Sequence, residues 1–235
     1  MRNLMGWTKK RGRQQGFTFI ELMVSVAILT LVVGVVVEGL TKLLQRNTTE
    51  TSKTDLTQES REFMDQVVND IHQSGYPSTK MFDPASLAPP VLPPNTVNCN
   101  LYAQIACGLV NVTPTSLQFE GDVDGSGTVS EVFIQLSPLN GPCPCIIQRG
   151  AVSKALWQGG TLPSYYTEVT NVNNTNIFQG YDNGGNNVPL PGACLPCNNV
   201  AAIEITLSVK STVADTDGSY PIINMSTSTK IHNFN

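Results

Sequence analysis

A long apolar run near the start of the chain constrains the fold most. The segment Phe17–Val37 has 21 residues, and Glu21 is its sole ionisable side chain. As an α-helix it would reach roughly 31 Å, which matches the hydrocarbon core of a bilayer. The sixteen residues before it hold five basic and no acidic side chains, a bias that keeps this end in the cytoplasm. We therefore predict a single membrane-spanning segment, with the chain after Val37 exported.

The apolar run could also be a cleaved secretory signal, a plain signal anchor or a buried core helix. A secretory signal has a shorter apolar region, of about 7–15 residues, followed by small residues at the cleavage site. A core helix does not need a basic leader on one side. A plain signal anchor accounts for the run but not for Glu21, because an acid inside a membrane segment is costly and usually functional.

The residues around Glu21 resemble a known family signature. Gly16–Val24 reads Gly-Phe-Thr-Phe-Ile-Glu-Leu-Met-Val. This is similar to the type IV prepilin signature, in which a basic leader ends in Gly, the first mature residue is apolar and the fifth is Glu. The resemblance implies that prepilin peptidase cleaves between Gly16 and Phe17 and methylates the new amine of Phe17. It also implies that Glu21 serves assembly, because its carboxylate would neutralise a neighbouring subunit's amine in a low-dielectric setting.

The pattern after the apolar run predicts one long helix. Proline is absent between Met1 and Tyr76, and apolar residues keep helical spacing until Gly75 and Pro77 end the pattern. We expect a helix from about residue 17 to 74, and the alternative is two helices broken in the polar stretch 48–54. The expected core residues of its second half are Phe63, Met64, Val67, Val68 and Ile71. The expected domains are a leader (1–16), a transmembrane and filament-core half of the helix (17–38), an amphipathic half (39–75) and a β-rich head (76–235).

The rest of the chain predicts an antiparallel sheet. Residues 116–121 and 129–136 alternate as strands around a Gly-rich turn, which indicates a hairpin, and further strands are expected at 201–210 and 222–231. The Pro-rich stretch 76–97 is expected to be a loop, and the Asn-, Gly- and Pro-rich stretch 171–199 a long irregular excursion. The fold class is therefore α+β. The prepilin resemblance implies the type IV pilin-like ladle, a long N-terminal helix with an antiparallel β-sheet head.

Three further stretches, 67–76, 119–125 and 228–233, resemble PilW-type minor pilins. The J-type pseudopilin of type II secretion shares the leader and the helix, and it stays open as the alternative. The resemblance implies a minor pilin that acts in pilus assembly or initiation or at the tip. The implied partners are prepilin peptidase, other minor pilins, the major pilin and the inner-membrane assembly platform. The implied location is the bacterial inner membrane, with the head in the periplasm, and then a pilus or pseudopilus at the cell surface.

Six cysteines in an exported, loop-rich body indicate disulfides. We expect the first two to close a local loop and the third and fourth to pair across to the last two. The sequence alone allows fifteen connectivities. The alternatives are a zinc site made by the last four cysteines and a thiol-exchange pair made by the last two. In chain order the six are Cys99, Cys107, Cys143, Cys145, Cys194 and Cys197.

The turn of the predicted hairpin resembles the front of an EF-hand loop. Oxygen-bearing side chains alternate along it and a Gly stands at the sixth position, a pattern that suits calcium. Phe133 stands where an EF-hand has Glu, and strands flank the turn in place of helices. The alternative is a plain turn, because Asp and Gly are ordinary turn residues. The candidate calcium ligands are Asp122, Asp124, Ser126, the Thr128 carbonyl and Glu131.

Charge and residue types favour assembly over catalysis. After the leader, the chain holds nine basic and eighteen acidic side chains, a formal charge of −9, which disfavours nucleic-acid binding. Of the two histidines, His72 lies on the predicted helix and His232 near the C-terminus, and no Ser/His/Asp grouping or phosphate loop is visible. We therefore expect a protein that is not an enzyme and requires no cofactor, with calcium as a candidate ligand. The alternative from another class is a membrane-anchored periplasmic thiol-disulfide protein that uses Cys194 and Cys197.

Overall fold

The N-terminal helix is continuous. Helix α1 extends from Phe19 to Gln73 without a break at residues 48–54, so the prediction of one helix is confirmed. Gly75 follows with a φ of +78°, a left-handed conformation that glycine adopts without a Cβ clash and that ends helices. The computed structural model describes residues 16–92, 95–138, 141–190, 192–193, 197 and 199–231.

The chain divides into two compact units. The first ends at Asn47, and its part of α1 carries exposed side chains almost throughout. The second begins at Thr48, and Thr49 is already fully buried. The second unit therefore includes the second half of α1 together with the head.

The second unit contains one antiparallel sheet. The hydrogen-bonded order of its described strands is β7-β6-β9-β5-β4-β3-β2-β1-β8, and β10 pairs with β9. A short helix α2, Lys154–Gln158, follows β4. Together with α1 this is the α+β, pilin-like layout that the sequence predicts. The strands are β1 Leu109–Thr113, β2 Ser116–Gly121, β3 Ser130–Ser137, β4 Cys145–Ser153, β5 Ser164–Val172, β6 Phe178–Tyr181, β7 Asn187–Val188, β8 Gly192–Ala193, β9 Ala202–Lys210 and β10 Ile222–Lys230.

The predicted hairpin and the two further predicted strands are confirmed. β2 and β3 form a hairpin in which Ser116 lies opposite Gln135 and Gly121 opposite Ser130. β9 and β10 pair along their full length. In β9 buried residues alternate with less buried ones, which is the pattern of a strand with one face on the core.

Other strands were not predicted. The first four residues of β5 are exposed, so the strand lacks the alternation that marks a half-buried strand. The expectation that residues 171–199 form an irregular excursion is wrong in part, because β6, β7 and β8 lie inside this range. β6 is held by pairing with β9, for example Gly180 with Ile203, and that partner is distant in the sequence.

One face of α1 contributes to the core of the head. Phe63, Met64, Val67 and Ile71 are buried as predicted and cluster with side chains of the sheet. Burying each such side chain is worth about 1.5–3 kcal/mol. Val68 is only partly buried, so its prediction as a core residue is wrong. It follows Val67 by about 100° around the helix, which places it at the flank of the buried face.

The Pro-rich stretch packs as a loop, as predicted. Its described residues contain two short 3-10 helices, Thr79–Met81 and Pro84–Ser86, and no strand. Leu87 from this stretch forms a small second core with Tyr102 and Ile105 and with the cysteines nearby. The Tyr102 hydroxyl donates to the Pro89 carbonyl at 2.5 Å. This second core holds the loop against the rest of the head.

Candidate assembly site and sites on the head

The predicted cleavage position is exposed and non-helical. Gly16, Phe17 and Thr18 precede α1, and the Phe17 side chain is 80% exposed. Proteolysis takes place most readily at exposed segments without regular structure, so the geometry suits cleavage between Gly16 and Phe17. The leader before Gly16 lies outside the described residues.

Glu21 lies in the first turn of α1. Its backbone N–H donates to the Thr18 carbonyl at 3.1 Å, and its own carbonyl accepts from Ser25 Oγ at 2.7 Å. A carboxylate at this end of a helix interacts favourably with the helix dipole. The carboxylate is exposed, and within the described part of the chain no hydrogen bond or ion pair engages it. A partner for this charge would therefore come from another molecule or from outside the described residues.

The first unit presents an apolar surface to its surroundings. Of the described helices, α1 is long and apolar enough to span a membrane, and its apolar stretch is not buried within the structure. Large apolar side chains are exposed from Phe17 to Leu44. An exposed apolar surface of this extent is unfavourable in water and indicates a membrane or a protein partner.

The three hydroxyl groups that α1 places on this surface are satisfied within the helix. Ser25 and Thr30 each donate to the carbonyl one turn earlier, at 2.7 and 3.1 Å, and Thr41 does the same at 2.9 Å. An unpaired polar group in a bilayer costs several kcal/mol. This internal bonding therefore suits an apolar environment.

Two disulfides lie within the described residues. Cys99 bonds Cys107, with their Cα atoms 5.2 Å apart, as predicted. Cys143 bonds Cys145, so the expected pairing of these two residues across to the last two cysteines is wrong. The chain turns tightly just before β4 and brings the two Cα atoms to 4.5 Å, which is within the range of a disulfide.

The last two cysteines are only partly described. Cys197 is disulfide-bonded and 2% exposed, whereas Cys194 lies outside the described residues. The zinc alternative for the last four cysteines is wrong, because the sulfurs of Cys143, Cys145 and Cys197 are in disulfides and metal binding needs thiolates.

The acidic turn lies between β2 and β3. Asp122 Oδ2 accepts a hydrogen bond from the Gly127 N–H at 2.9 Å, and Asp124 Oδ1 accepts one from the Ser126 N–H at 3.0 Å. Backbone N–H groups of the turn therefore orient both carboxylates, of which Asp122 is buried and Asp124 is exposed. Among the described residues, no group of three or more His, Cys, Asp or Glu side chains is arranged to hold a metal ion. A cation at this turn would thus depend on two carboxylates together with hydroxyl and carbonyl oxygens.

A buried ionic cluster joins β2 and α2. The Lys154 side chain is 1% exposed, and its Nζ donates to the carbonyls of Cys99 and Ile105, at 2.9 and 2.8 Å, and to Glu120 Oε2 at 2.6 Å. Glu120 Oε2 also accepts from the Cys107 N–H at 2.7 Å. The three protons of the ammonium group therefore all have acceptors. The sequence did not predict this cluster, because Lys and Glu are rarely buried and no local pattern marks these positions.

Glu131 belongs to this cluster rather than to the acidic turn. Its Oε1 accepts from Gln118 Nε2 at 2.6 Å. Burial, and next the charge of the neighbouring Glu120, raise the pKa of Glu131 to about 8. A neutral Glu131 can lie beside a charged Glu120 that is balanced by Lys154. This position removes Glu131 from the candidate calcium ligands.

A second set of polar contacts connects α1 with the sheet. Asp70 Oδ2 accepts from Arg149 Nε at 2.8 Å, and both side chains are largely buried. Burial raises the pKa of Asp70 in spite of the opposing effect of Arg149. Glu59 Oε1 accepts from the Thr170 N–H at 2.7 Å. These contacts fix the second half of α1 to β4 and β5.

A known family model matches the N-terminal segment of the chain. The family model described as the prokaryotic N-terminal methylation motif matches residues 11–37, which include Gly16, Phe17 and Glu21. No curated protein and no solved structure matches the chain at a significant level. The motif, the apolar α1 and the α+β layout support a membrane-anchored, single-pass protein of the type IV pilin or pseudopilin class.

Proposed function

We propose that this chain is a minor pilin of a type IV pilus, acting in pilus assembly or initiation or at the tip. The observation that carries the proposal is Glu21, an exposed acid in the first turn of an apolar helix, at the fifth position after a predicted cleavage site. The methylation motif covers the same residues. The head supplies a folded domain that the helix would anchor in the filament.

The proposed mechanism is charge pairing between subunits. Cleavage after Gly16 creates an amine on Phe17, and prepilin peptidase then methylates it. The carboxylate of Glu21 would form an ion pair with the N-terminal amine of Phe17 in a neighbouring subunit. Each charge would neutralise the other where water is excluded. An unpaired buried charge is strongly unfavourable, so the pair selects the register in which a subunit joins the filament.

The same features set the proposed partners and location. The basic leader and the apolar helix favour insertion into the inner membrane with the head in the periplasm. Partners are then prepilin peptidase, the assembly platform, the major pilin and other minor pilins. A minor pseudopilin of type II secretion would share the leader and helix. The thiol-disulfide alternative is disfavoured because Cys197 is buried, and thiol exchange needs an accessible sulfur.

Substitution of Glu21 tests the mechanism. Glu21→Val is expected to be cleaved and inserted normally but to be lost from sheared filaments, because the neighbouring amine would have no counter-charge. Glu38→Val is the matched control, since Glu38 is also an exposed acid of α1 but pairs with Lys42 of its own chain at 2.7 Å. Immunoblots of membranes and filaments measure both steps. Normal incorporation of Glu21→Val would refute the role of Glu21.

Deletion of the gene and intact mass test the class of filament. Loss of surface pili with unchanged protein secretion is expected for a minor pilin, and the reverse result would identify a secretion pseudopilin. The mass of the protein from the native envelope is expected to correspond to a chain that begins at methylated Phe17. A chain that keeps residues 1–16 would show that the leader is only an anchor and would refute the proposal.

A further inference from the structure

The turn between β2 and β3 brings several side-chain oxygens together. The carboxylates of Asp122 and Asp124 accept hydrogen bonds from backbone N–H groups of the same turn. Ser126 Oγ accepts from the Thr128 N–H at 3.2 Å. These contacts explain how the turn is shaped but do not explain why two carboxylates lie next to each other within it.

Asp122 has an oxygen without a partner. The residue is only 6% exposed, and its Oδ1 is buried without a hydrogen bond. Because Oδ2 of the same carboxylate is held by the Gly127 N–H, the free oxygen is held at the turn as well. Leaving a buried carboxylate oxygen unpaired is unfavourable, because it has lost its hydration without gaining a donor.

A second carboxylate lies in the same turn. Asp124 is two residues after Asp122, its side chain is exposed, and its Oδ1 is oriented by the Ser126 N–H. A cation shared by the two carboxylates would give the unpaired oxygen of Asp122 the partner that the turn itself does not supply.

We propose that this turn binds one calcium ion through the carboxylates of Asp122 and Asp124, with Ser126 Oγ and the Thr128 carbonyl as further ligands. Oxygen ligands that combine carboxylate, hydroxyl and carbonyl groups select a hard cation, and calcium tolerates irregular geometry. Glu131 is not a ligand, because it contacts Gln118 and Glu120. The site is independent of the assembly role of Glu21.

The expected affinity follows from the charge of the site. Two carboxylates on an exported domain resemble extracellular calcium modules, whose dissociation constants are about 0.1–1 mM. Water would complete the coordination, because the Asp124 side chain is exposed. Binding would fix the turn and, through it, the register of the β2–β3 hairpin.

Calorimetry on the full chain in detergent, with calcium chloride as the titrant, tests the proposal. Wild type is expected to give saturable heat, and Asp124→Asn to bind at least about tenfold more weakly because one charged ligand is lost. Asp217→Asn is the matched control, since Asp217 is an exposed acid that also accepts an N–H two residues later, from Ser219 at 2.8 Å. Asp217→Asn and Glu131→Gln are expected to bind like wild type.

Three results would overturn the calcium site. The first is the absence of saturable heat, together with an unchanged melting temperature, at calcium concentrations of about 10 mM, well above the range expected for such modules. The second is equal weakening by Asp124→Asn and Asp217→Asn, which would indicate nonspecific screening of an acidic surface. The third is a tenfold loss on Glu131→Gln, which would require a different ligand set.

Discussion

Replacing Lys154 by Met is expected to destabilise the head, because it leaves a buried carboxylate without its cation. Lys154 Nζ donates to Glu120 Oε2 at 2.6 Å and to the carbonyls of Cys99 and Ile105. Methionine fills a similar volume but donates no hydrogen bond. Glu120 would then keep the Cys107 N–H as a donor but lose its counter-charge.

The magnitude follows from removing one partner of a buried ion pair. Such substitutions cost about 3–5 kcal/mol, because the remaining charge is uncompensated. For a unit that spans residues 48–235, about 2–4 °C of melting temperature corresponds to 1 kcal/mol. We therefore expect Lys154→Met to lower the melting temperature by roughly 6–20 °C.

Thermal unfolding of the full chain in detergent, followed by near-ultraviolet circular dichroism, measures this shift. The double variant Lys154→Met with Glu120→Gln is the control, because it removes both charges and leaves no uncompensated carboxylate. It is expected to be more stable than Lys154→Met alone, with a coupling of about 0.5–3 kcal/mol. A melting temperature of Lys154→Met within about 3 °C of wild type would refute the reasoning, and so would additive effects of the two substitutions.

Two further predictions concern the other buried acids. The pKa of Glu131 is raised from its ordinary value of 4.5 to about 8 in the folded protein. The stabilisation of the fold by protonated Glu131 is therefore complete below pH 4.5 and is lost as the pH rises to about 8. Glu131→Gln is expected to flatten this decline in melting temperature between pH 5 and pH 8, and an unchanged slope would show that Glu131 is not its source. Arg149→Met is expected to lower the free energy of unfolding, measured with urea, by about 3 kcal/mol, since it leaves Asp70 buried and unpaired. Asp70→Asn is expected to cost less, because burial already disfavours the charge of Asp70; equal losses for the two variants would contradict this asymmetry.

Local patterns in the sequence were sufficient for the elements that are regular over many residues. The uninterrupted helical spacing predicted α1, and the alternation in β2 and β3 predicted their hairpin. β9 and β10 were predicted as strands, but their pairing with each other was not. The methylation motif and the apolar run likewise depend only on neighbouring residues. The local loop closed by Cys99 and Cys107 was also predicted correctly, because the two cysteines are close in sequence.

Long-range contacts decided the rest. β6 lies in a stretch whose composition predicts a loop. It is nevertheless a strand, because its backbone pairs with β9. Val68 lies at the flank of the buried face, because the sheet packs against the side of α1 that carries Val67. The bond between Cys143 and Cys145 is local, but six cysteines allow many pairings and their spacing does not select this one.

The sequence by itself determined how this protein is anchored and the order of its main elements, since periodicity and charge act along the chain. Only the tertiary structure decided that Lys154 and Glu120 form a buried pair and that Glu131 joins them rather than the acidic turn. The physical reason is that the state of a buried charge depends on desolvation and on the groups packed against it. Residues far apart in the chain supply those groups.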